Sequence, residues 1–448
     1  LRFTSFAEML GHYAEQTPDA PALRYEEGGA VTEMTYEELA EAVERCAAAL
    51  RAEGKTCLGV LPDGSLACVL EIFAAVRTGI QVALLDGNLP TQVLSGLVTY
   101  TDADALWGDA ELCGELGEAL TGGVQNGAGR LLFFTSGTTE RSKAVVLTEK
   151  SLCASAYNGG SLLPLSAEDT LLCMLPLGHV FGFVCGLLWG LSCGACVALG
   201  RGPRHYIDDC LFFRPTALSV VPTLLSFLLK QNLFNDGLRL LLVGAGDCPP
   251  VLLESARAMG VRVCFGYGLT ETSSGVALSL GDDPYAMTVC PDDTITIAPD
   301  GEILIDTRTC MMQGYYKWPE ETNTVLSGGV LNTGDLGHFD ENGCLHVTGR
   351  KKEMFVLSDG TKLFLPEAEA ELRAMLGGGD FALALRGEQI ILAVHGEERS
   401  DEELFRVIAP YQKNRPRSQK VARISRQVAP LPRTPTGKVK RWELNARL

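Results

Sequence analysis

Positive charge is what this 448-residue chain has least of relative to its size: 38 Lys and Arg stand against 55 Asp and Glu, a net charge of −17 at pH 7. Such a surface repels nucleic acid and anionic membranes at long range, leaving small molecules as the expected partners. Metal-type cysteine pairing is also scarce. Fifteen cysteines are scattered, many inside apolar runs, which suits reduced thiols in a cytosol and not a secreted disulfide framework. The single CxxC, Cys193 to Cys196, has neither a second pair nor neighbouring histidines to make a metal site. No charged segment followed by an apolar core opens the sequence, so no signal peptide is expected. Residues 171 to 200 contain no Asp, Glu, Lys or Arg and are long enough to span a bilayer. Pro176, His179 and the lack of flanking basic clusters argue against a span. The same stretch has glycine at 178, 182, 186, 190 and 194, a period of four that makes one smooth stripe wherever the run is helical. A smooth stripe serves either close packing or an open groove, and the sequence permits both.

What is present is ample core material, 46% hydrophobic, enough for two or more domains. To about residue 120 amphipathic helix ("TYEELAEAVERCAAALRAEG") alternates with short buried strand ("CLGVLP", "IQVALLD"), and "ALSVVP", "LRLLLVGAG" and "VRVCFGYG" continue the pattern. This predicts α/β layers whose strand ends carry the ligand loops. Beyond residue 285 short strands and turns take over, with a D-E-N-G hairpin turn at 340 to 343. The charged run "GRKKEMF" at 349 to 355 separates this β-rich region from a final α+β segment and is taken as the domain boundary.

Five segments carry candidate chemistry. In "LLFFTSGTTERSKAVVL" a polar loop lies between two strand-like runs. Gly137, the hydroxyls of Thr135, Ser136, Thr138 and Thr139, and Lys143 suit a polyphosphate, although a plain polar hairpin loop has the same composition. In "FGYGLTETSS", Tyr267 offers a flat ring for a purine, Gly266 and Gly268 allow close backbone approach, and Thr270 and Glu271 offer oxygen to a hard cation such as Mg2+. Asp335 in "NTGDLG" is suited to accept two hydrogen bonds from vicinal ribose hydroxyls. Arg350 stands at the domain boundary, and Lys438 lies on a glycine turn in "LPRTPTGKVKRWEL". A Walker A loop is excluded, because Ser142 and Ala144 flank Lys143 where glycine and Ser or Thr are required.

In this order the segments resemble the adenylate-forming superfamily of acyl-CoA synthetases, luciferases and peptide-synthetase adenylation domains, over essentially the whole chain and most nearly the bacterial fatty acyl-CoA ligases. The resemblance implies a multi-domain α/β fold. A large N-terminal domain (1–349), of two α/β-layered subdomains plus a β-rich one, would be followed by a hinge (350–352) and a small mobile α+β C-terminal domain (353–448). It implies that Thr135 to Lys143 grip the ATP β- and γ-phosphates. Gly244, Ala245 and Gly246 with Tyr267 and Gly268 would hold adenine, and Thr270 and Glu271 the phosphates and Mg2+. Asp335 would meet the ribose and Arg350 a second ribose or phosphate group. Lys352 falls at the hinge, and Lys438 completes the adenylation site. The implied chemistry is attack of a carboxylate on the α-phosphorus, release of pyrophosphate, and transfer of the acyl group to coenzyme A, with a separate acyl carrier protein as the alternative acceptor. Cations are required because two anions must meet.

The phosphate loop departs from the family pattern T-S-G-T-T-G-x-P-K-G: Glu140, Ser142 and Ala144 replace two glycines and the proline, which puts ATP affinity in question. A degenerate nucleotide-binding sensor is therefore a further alternative, opposed by the retention of Glu271, Asp335 and Lys438. Amino-acid-activating relatives carry an aspartate where this chain has His179 in "LPLGHVFGFVCG". A plain carboxylic acid with an apolar tail, a medium- or long-chain fatty acid, is thus the expected substrate. His179 would lie at the mouth of the acyl pocket, unless it is a packed core histidine, and the glycine stripe would widen the acyl tunnel.

Overall fold

In the computed structural model the described backbone comprises residues 1–448 apart from 125–126, 136–142, 247, 357–361, 388, 414 and 434–438. The side chains of 203, 352, 354–356, 362, 364, 418 and 442 are likewise outside it. The run "CLGV" becomes strand Cys57–Val60 and "QVAL" becomes Gln81–Leu84, each buried along its whole length. Strands apolar on both faces belong in a parallel sheet covered by helices. They run parallel to Ala105–Trp107 on one side and Leu131–Phe134 on the other. Antiparallel strands Ala144–Leu147 and Gly314–Tyr315 complete this six-stranded sheet. The amphipathic helix Tyr36–Glu53 starts at a capping box between Thr35 and Glu38 and stops at Gly54, whose φ of 66° lets the chain turn away.

A second sheet has fourteen strands. Its parallel part runs Arg262–Leu269, Leu240–Val243, Ala217–Val220, Thr170–Cys173, Cys196–Leu199, Pro21–Glu27. The β-rich region after residue 285 joins the same sheet as an antiparallel wing, through Ser274–Ser279. One long strand makes the joint. Arg262 to Phe265 pair in parallel with Leu240 to Val243, and Gly266 to Leu269 pair antiparallel with Ser274 to Leu278. Tyr267 and Gly268 therefore sit just past the point where the sheet changes direction. In the wing, Val330–Phe339 and Leu345–Arg350 form the hairpin expected around D-E-N-G. Asp340 Oδ1 accepts from the backbone N–H of Asn342 (2.9 Å) and Cys344 (2.8 Å), and Gly343 takes a φ of 77°.

The uncharged stretch 171–200 is largely buried within this domain, with Pro176 and His179 exposed. Strand Thr170–Cys173 leads through a loop into a helix over 180–192, followed by strand Cys196–Leu199. Among the described residues no helix is long and apolar enough to cross a membrane. Gly182–Leu188 of this helix is π-helical, with the Trp189 N–H reaching Val184 O. The buried Ser219 hydroxyl satisfies the Cys185 carbonyl at 2.8 Å. Gly186 and Gly190 of the stripe face the sheet, and Gly182 faces the loop that precedes the helix. A Cβ on Gly186 would lie 3.1 Å from Cys173 Sγ, one on Gly190 2.6 Å from Val197 Cγ2, and one on Gly182 2.4 Å from the Pro176 carbonyl oxygen. The glycines let helix and sheet approach, which corrects the expectation that they widen a tunnel. The Cys193 and Cys196 thiols are free, and no cluster of three His, Cys, Asp or Glu suited to a metal occurs among the described residues.

After Arg350 the chain leaves the large sheet through a single turn, Lys351–Glu353. The Lys351 ammonium is held by Asp300 (2.6 Å) and Glu302 (2.9 Å) of the wing. Helix Leu365–Leu376 packs with a separate three-stranded sheet, Asp380–Arg386, Gln389–His395 and Val421–Gln427. Its core includes Leu372, Phe381, Leu392, Leu404 and Tyr411.

Candidate active site

Two polar groupings form where the long strand Arg262–Leu269 ends. The first joins Tyr267, Asp335 and Arg350. Asp335 and Arg350 are cross-strand neighbours in the hairpin register, and Arg350 Nε lies 3.0 Å from Asp335 Oδ1. The Tyr267 hydroxyl donates to Asp335 Oδ2 at 2.8 Å. Asp335 is only 3% exposed, so the carboxylate depends on these partners for its solvation. Burial, and then the Asp335 charge, push the Tyr267 phenol well above its ordinary range, so it stays a donor. Tyr267 is thus more than a flat ring: its hydroxyl positions Asp335. Asp335 in turn is a held carboxylate, not an open acceptor between glycines. Gly268 is obligatory here, because a Cβ would fall 1.9 Å from the Ser274 carbonyl oxygen.

The second grouping joins Lys143, Tyr315 and Glu271. The hairpin of Leu131–Phe134 and Ala144–Leu147 closes at its neck with Thr135 N–H on the Lys143 carbonyl, 3.0 Å. Ser136, Gly137, Thr138 and Thr139, with Glu140, Arg141 and Ser142, lie outside the described residues. Gly314 and Tyr315 pair with Val146 and Val145, which carries the Tyr315 ring alongside Lys143, whose Nζ is 4.7 Å from the ring centroid. The Tyr315 hydroxyl donates to Glu271 Oε1 at 2.7 Å. Burial and the Glu271 charge push the Tyr315 phenol up, so it too remains protonated. The sequence reading did not single out Tyr315. Its only local signal is the Gly-Tyr-Tyr run at 314 to 316, with Gly314 at a φ of 141°.

Glu271 stands in the turn Thr270–Thr272, where Thr270 is half-buried, and its backbone carbonyl accepts from Met312 N–H at 2.8 Å. Its Oε2 has no partner among the described residues. One carboxylate with an oxygen unpartnered among the described residues, close to Tyr315 and the Lys143 hairpin neck, fits Mg2+, which is held by one or two carboxylates together with substrate phosphates.

A third element is the turn after Leu240–Val243. Gly244 is buried under the Phe181 ring, 3.0 Å from where its Cβ would lie; Ala245 is exposed with a φ of 60°, and Gly246 faces Pro222. Phe181 brings the segment around His179 to this turn. His179 itself is exposed, ahead of the helix, so it is not a packed core histidine, and it shares no hydrogen bond with the candidates among the described residues. Lys438 and the Lys352 side chain lie outside the described residues.

A small apolar cavity of about 20 Å³, room for about one water, is lined by Ser155, Gly159, Val184, Trp189, Leu242 and Gly275 among others. Trp189 is fixed by Nε1–H donation to the Leu163 carbonyl at 3.0 Å.

A family model described as AMP-binding enzyme matches residues 10–125 and 124–316. The chain belongs to this AMP-binding enzyme family. It is 30% identical, over 81% of its length and 81% of the relative's, to the indoleacetate–CoA ligase of Aromatoleum aromaticum. It is 27% identical to the fatty acid–[acyl-carrier-protein] ligase MmaC of Mycobacterium marinum, over 98% of this chain and 97% of that one. Its fold matches that of the o-succinylbenzoate coenzyme A synthetase of Bacillus subtilis, solved with ATP and magnesium ion, with a TM-score of 0.82. That match has 24% identity and covers 97% of this chain and 98% of that one.

Proposed function

We propose that this protein is an AMP-forming acid–CoA ligase acting on a compact, largely apolar carboxylic acid. The observation that carries the reading is the convergence at one strand end of the hairpin lysine, the Tyr315-held Glu271 and the Tyr267-held Asp335. Lys143 and the hydroxyls of its loop hold the β- and γ-phosphates that leave. Asp335 and Arg350 receive the ribose hydroxyls, and the turn Gly244 to Gly246 with Tyr267 and Gly268 borders the base. Glu271, with Thr270, would hold Mg2+, which supplies positive charge to the phosphates. The acid's carboxylate attacks the α-phosphorus and pyrophosphate departs. Lys438 brings the compensating charge to that step. The last domain, from residue 353, then turns about 350–352, and the CoA thiol takes the acyl group.

A medium- or long-chain fatty acid was the expectation from sequence. The indoleacetate–CoA ligase relative favours a compact ring acid instead. An acyl carrier protein remains the second acceptor. Residues 404–442 carry eleven Lys or Arg and no Asp or Glu, and one relative is named an acyl-carrier-protein ligase. The test is acid-dependent exchange of pyrophosphate into ATP over acetate, ring acids and C6 to C16 fatty acids, followed by CoA or carrier protein. Exchange confined to the long-chain acids would refute the compact-acid reading, and no exchange with any acid would refute the ligase. Exchange with thioester formed only on the carrier would exchange the acceptor. In Lys438→Ala adenylate formation should be lost while thioester formation from supplied acyl-adenylate persists; loss of both contradicts the role given to that lysine.

A further inference from the structure

The ring that holds Glu271 rests on little regular structure. Strand Gly314–Tyr315 is two residues long and lies at the edge of the six-stranded sheet. Gln313 N–H to the Val146 carbonyl (2.9 Å) and Tyr316 N–H to the Ala144 carbonyl (2.8 Å) extend its pairing by one bond at each end. A strand this short has too few ladder bonds to fix its own position.

A second hold comes from Asp102, which stands just past helix Thr91–Tyr100 and 214 residues ahead of Tyr316. Its Oδ2 accepts from the Tyr316 hydroxyl at 2.6 Å, and its Oδ1 accepts from the Lys317 ammonium at 2.8 Å. The Tyr100 hydroxyl donates to the Tyr316 carbonyl, so the same helix end grips the segment twice. Tyr316 is buried, and burial together with the Asp102 bond pushes its phenol up to about 12, so it stays a donor.

The backbone is strained on both sides of this tie. Asp102 has a φ of 60° and Lys317 a φ of 59°, in the left-handed region that residues other than glycine rarely adopt. Such residues persist where their surroundings hold them, and they gather at active sites and ligand clamps. The Lys317–Asp102 pair supplies that hold. Lys317 is half-exposed, so the pair adds little to overall stability; what it fixes is the course of the chain as it leaves Tyr315.

We infer that Asp102 is a positioning residue of the adenylation site: by holding Tyr316 and Lys317 it sets the Tyr315 ring, which contacts both Lys143 and Glu271, and so aims the Glu271 carboxylate. Asp102 acts through the strand, not on the nucleotide. This rests on reading Glu271 as the residue that holds Mg2+.

The test uses the full-length enzyme with ATP and no acid, so that nothing reacts. The readout is the factor by which Mg2+ tightens ATP binding, from titration calorimetry with Mg2+ and with EDTA. A purely structural defect weakens both affinities and leaves their ratio in place. Asp102→Gly, which permits the left-handed turn but removes the carboxylate, should lower the factor by about threefold. Asp102→Asn, which still offers an oxygen to the Tyr316 hydroxyl, should restore most of it. In the Tyr315→Phe background Asp102→Gly should add nothing, because both changes act along one path. If Tyr315→Phe lowers the factor and Asp102→Gly does not, the assignment is overturned; an undiminished effect of Asp102→Gly in the Tyr315→Phe background overturns it too. Should Asp102→Gly fail to fold, Lys317→Gly tests the same tie, with a drop of about twofold expected and an unchanged factor overturning the assignment. A wild-type factor in Glu271→Gln would mean that Glu271 does not hold Mg2+, and both readings would then fall together.

Discussion

The Tyr267 hydroxyl donates to Asp335 Oδ2 at 2.8 Å, tying the strand end at the sheet's change of direction to the hairpin that leads into the last domain. Because Asp335 is buried, the bond carries much of that carboxylate's solvation. Tyr267→Phe should lower stability by about 2 kcal/mol, the cost of a buried charged acceptor losing a donor. It should raise KM for ATP several-fold and leave KM for the acid unchanged. Urea denaturation and steady-state exchange kinetics check both. An unchanged KM for ATP would detach Asp335 from the nucleotide.

Tyr315 makes the corresponding bond to Glu271 at 2.7 Å. Removing its hydroxyl leaves the carboxylate free to rotate. Tyr315→Phe should therefore raise the Mg2+ concentration needed for half-maximal exchange by about fivefold, and Glu271→Gln by about a hundredfold, since a neutral oxygen is a poor ligand for a hard cation. Equal Mg2+ requirements for all three proteins would remove Glu271 from the metal.

Glycines at 182 and 190 have no room for a methyl group: the atoms their Cβ would meet are a carbonyl oxygen at 2.4 Å and a valine methyl at 2.6 Å. Gly182→Ala and Gly190→Ala should each cost about 3 kcal/mol of stability through overpacking. Gly186→Trp should prevent folding instead of shortening the accepted acid. Denaturation midpoints equal to the wild type would mean the helix does not lie on the sheet as described.

Asp293 predicts a pH dependence. Its carboxyl is pushed up to about 7 by burial, with Asp292 adding to the shift and a Thr307 hydrogen bond opposing it. The native state holds a proton that the unfolded chain releases near pH ~4. Stability from this group is therefore complete below pH ~4 and is lost as pH rises through about 7. Asp293→Asn, which still offers an oxygen to Asn158 Nδ2, should flatten the decline between pH 5 and 8. At pH 8 it should exceed the wild type by about 2 kcal/mol. Parallel pH profiles for the two proteins would contradict the buried proton.

Much of the candidate site could be read along the chain because its parts are local. The alternation of "CLGV" and "QVAL" with amphipathic helix dictates covered parallel strands, and D-E-N-G dictates its turn. Tyr315 was missed because nothing near it in sequence marks it; it reaches Glu271 only through pairing of Gly314 and Tyr315 with a strand far upstream. The direction of the glycine stripe was undecided for a related reason. Periodicity shows that a helix has a smooth face, but not which neighbour that face meets.

By itself, then, the sequence determined the α/β layers and the hairpin turn at 340 to 343, since these rest on local periodicity and turn chemistry. Only the tertiary structure decided that Asp335 is buried and held by Tyr267, that Tyr315 holds Glu271, and that Ser155 faces an apolar cavity without a partner. Those facts depend on strand register and helix rotation, which long-range packing fixes.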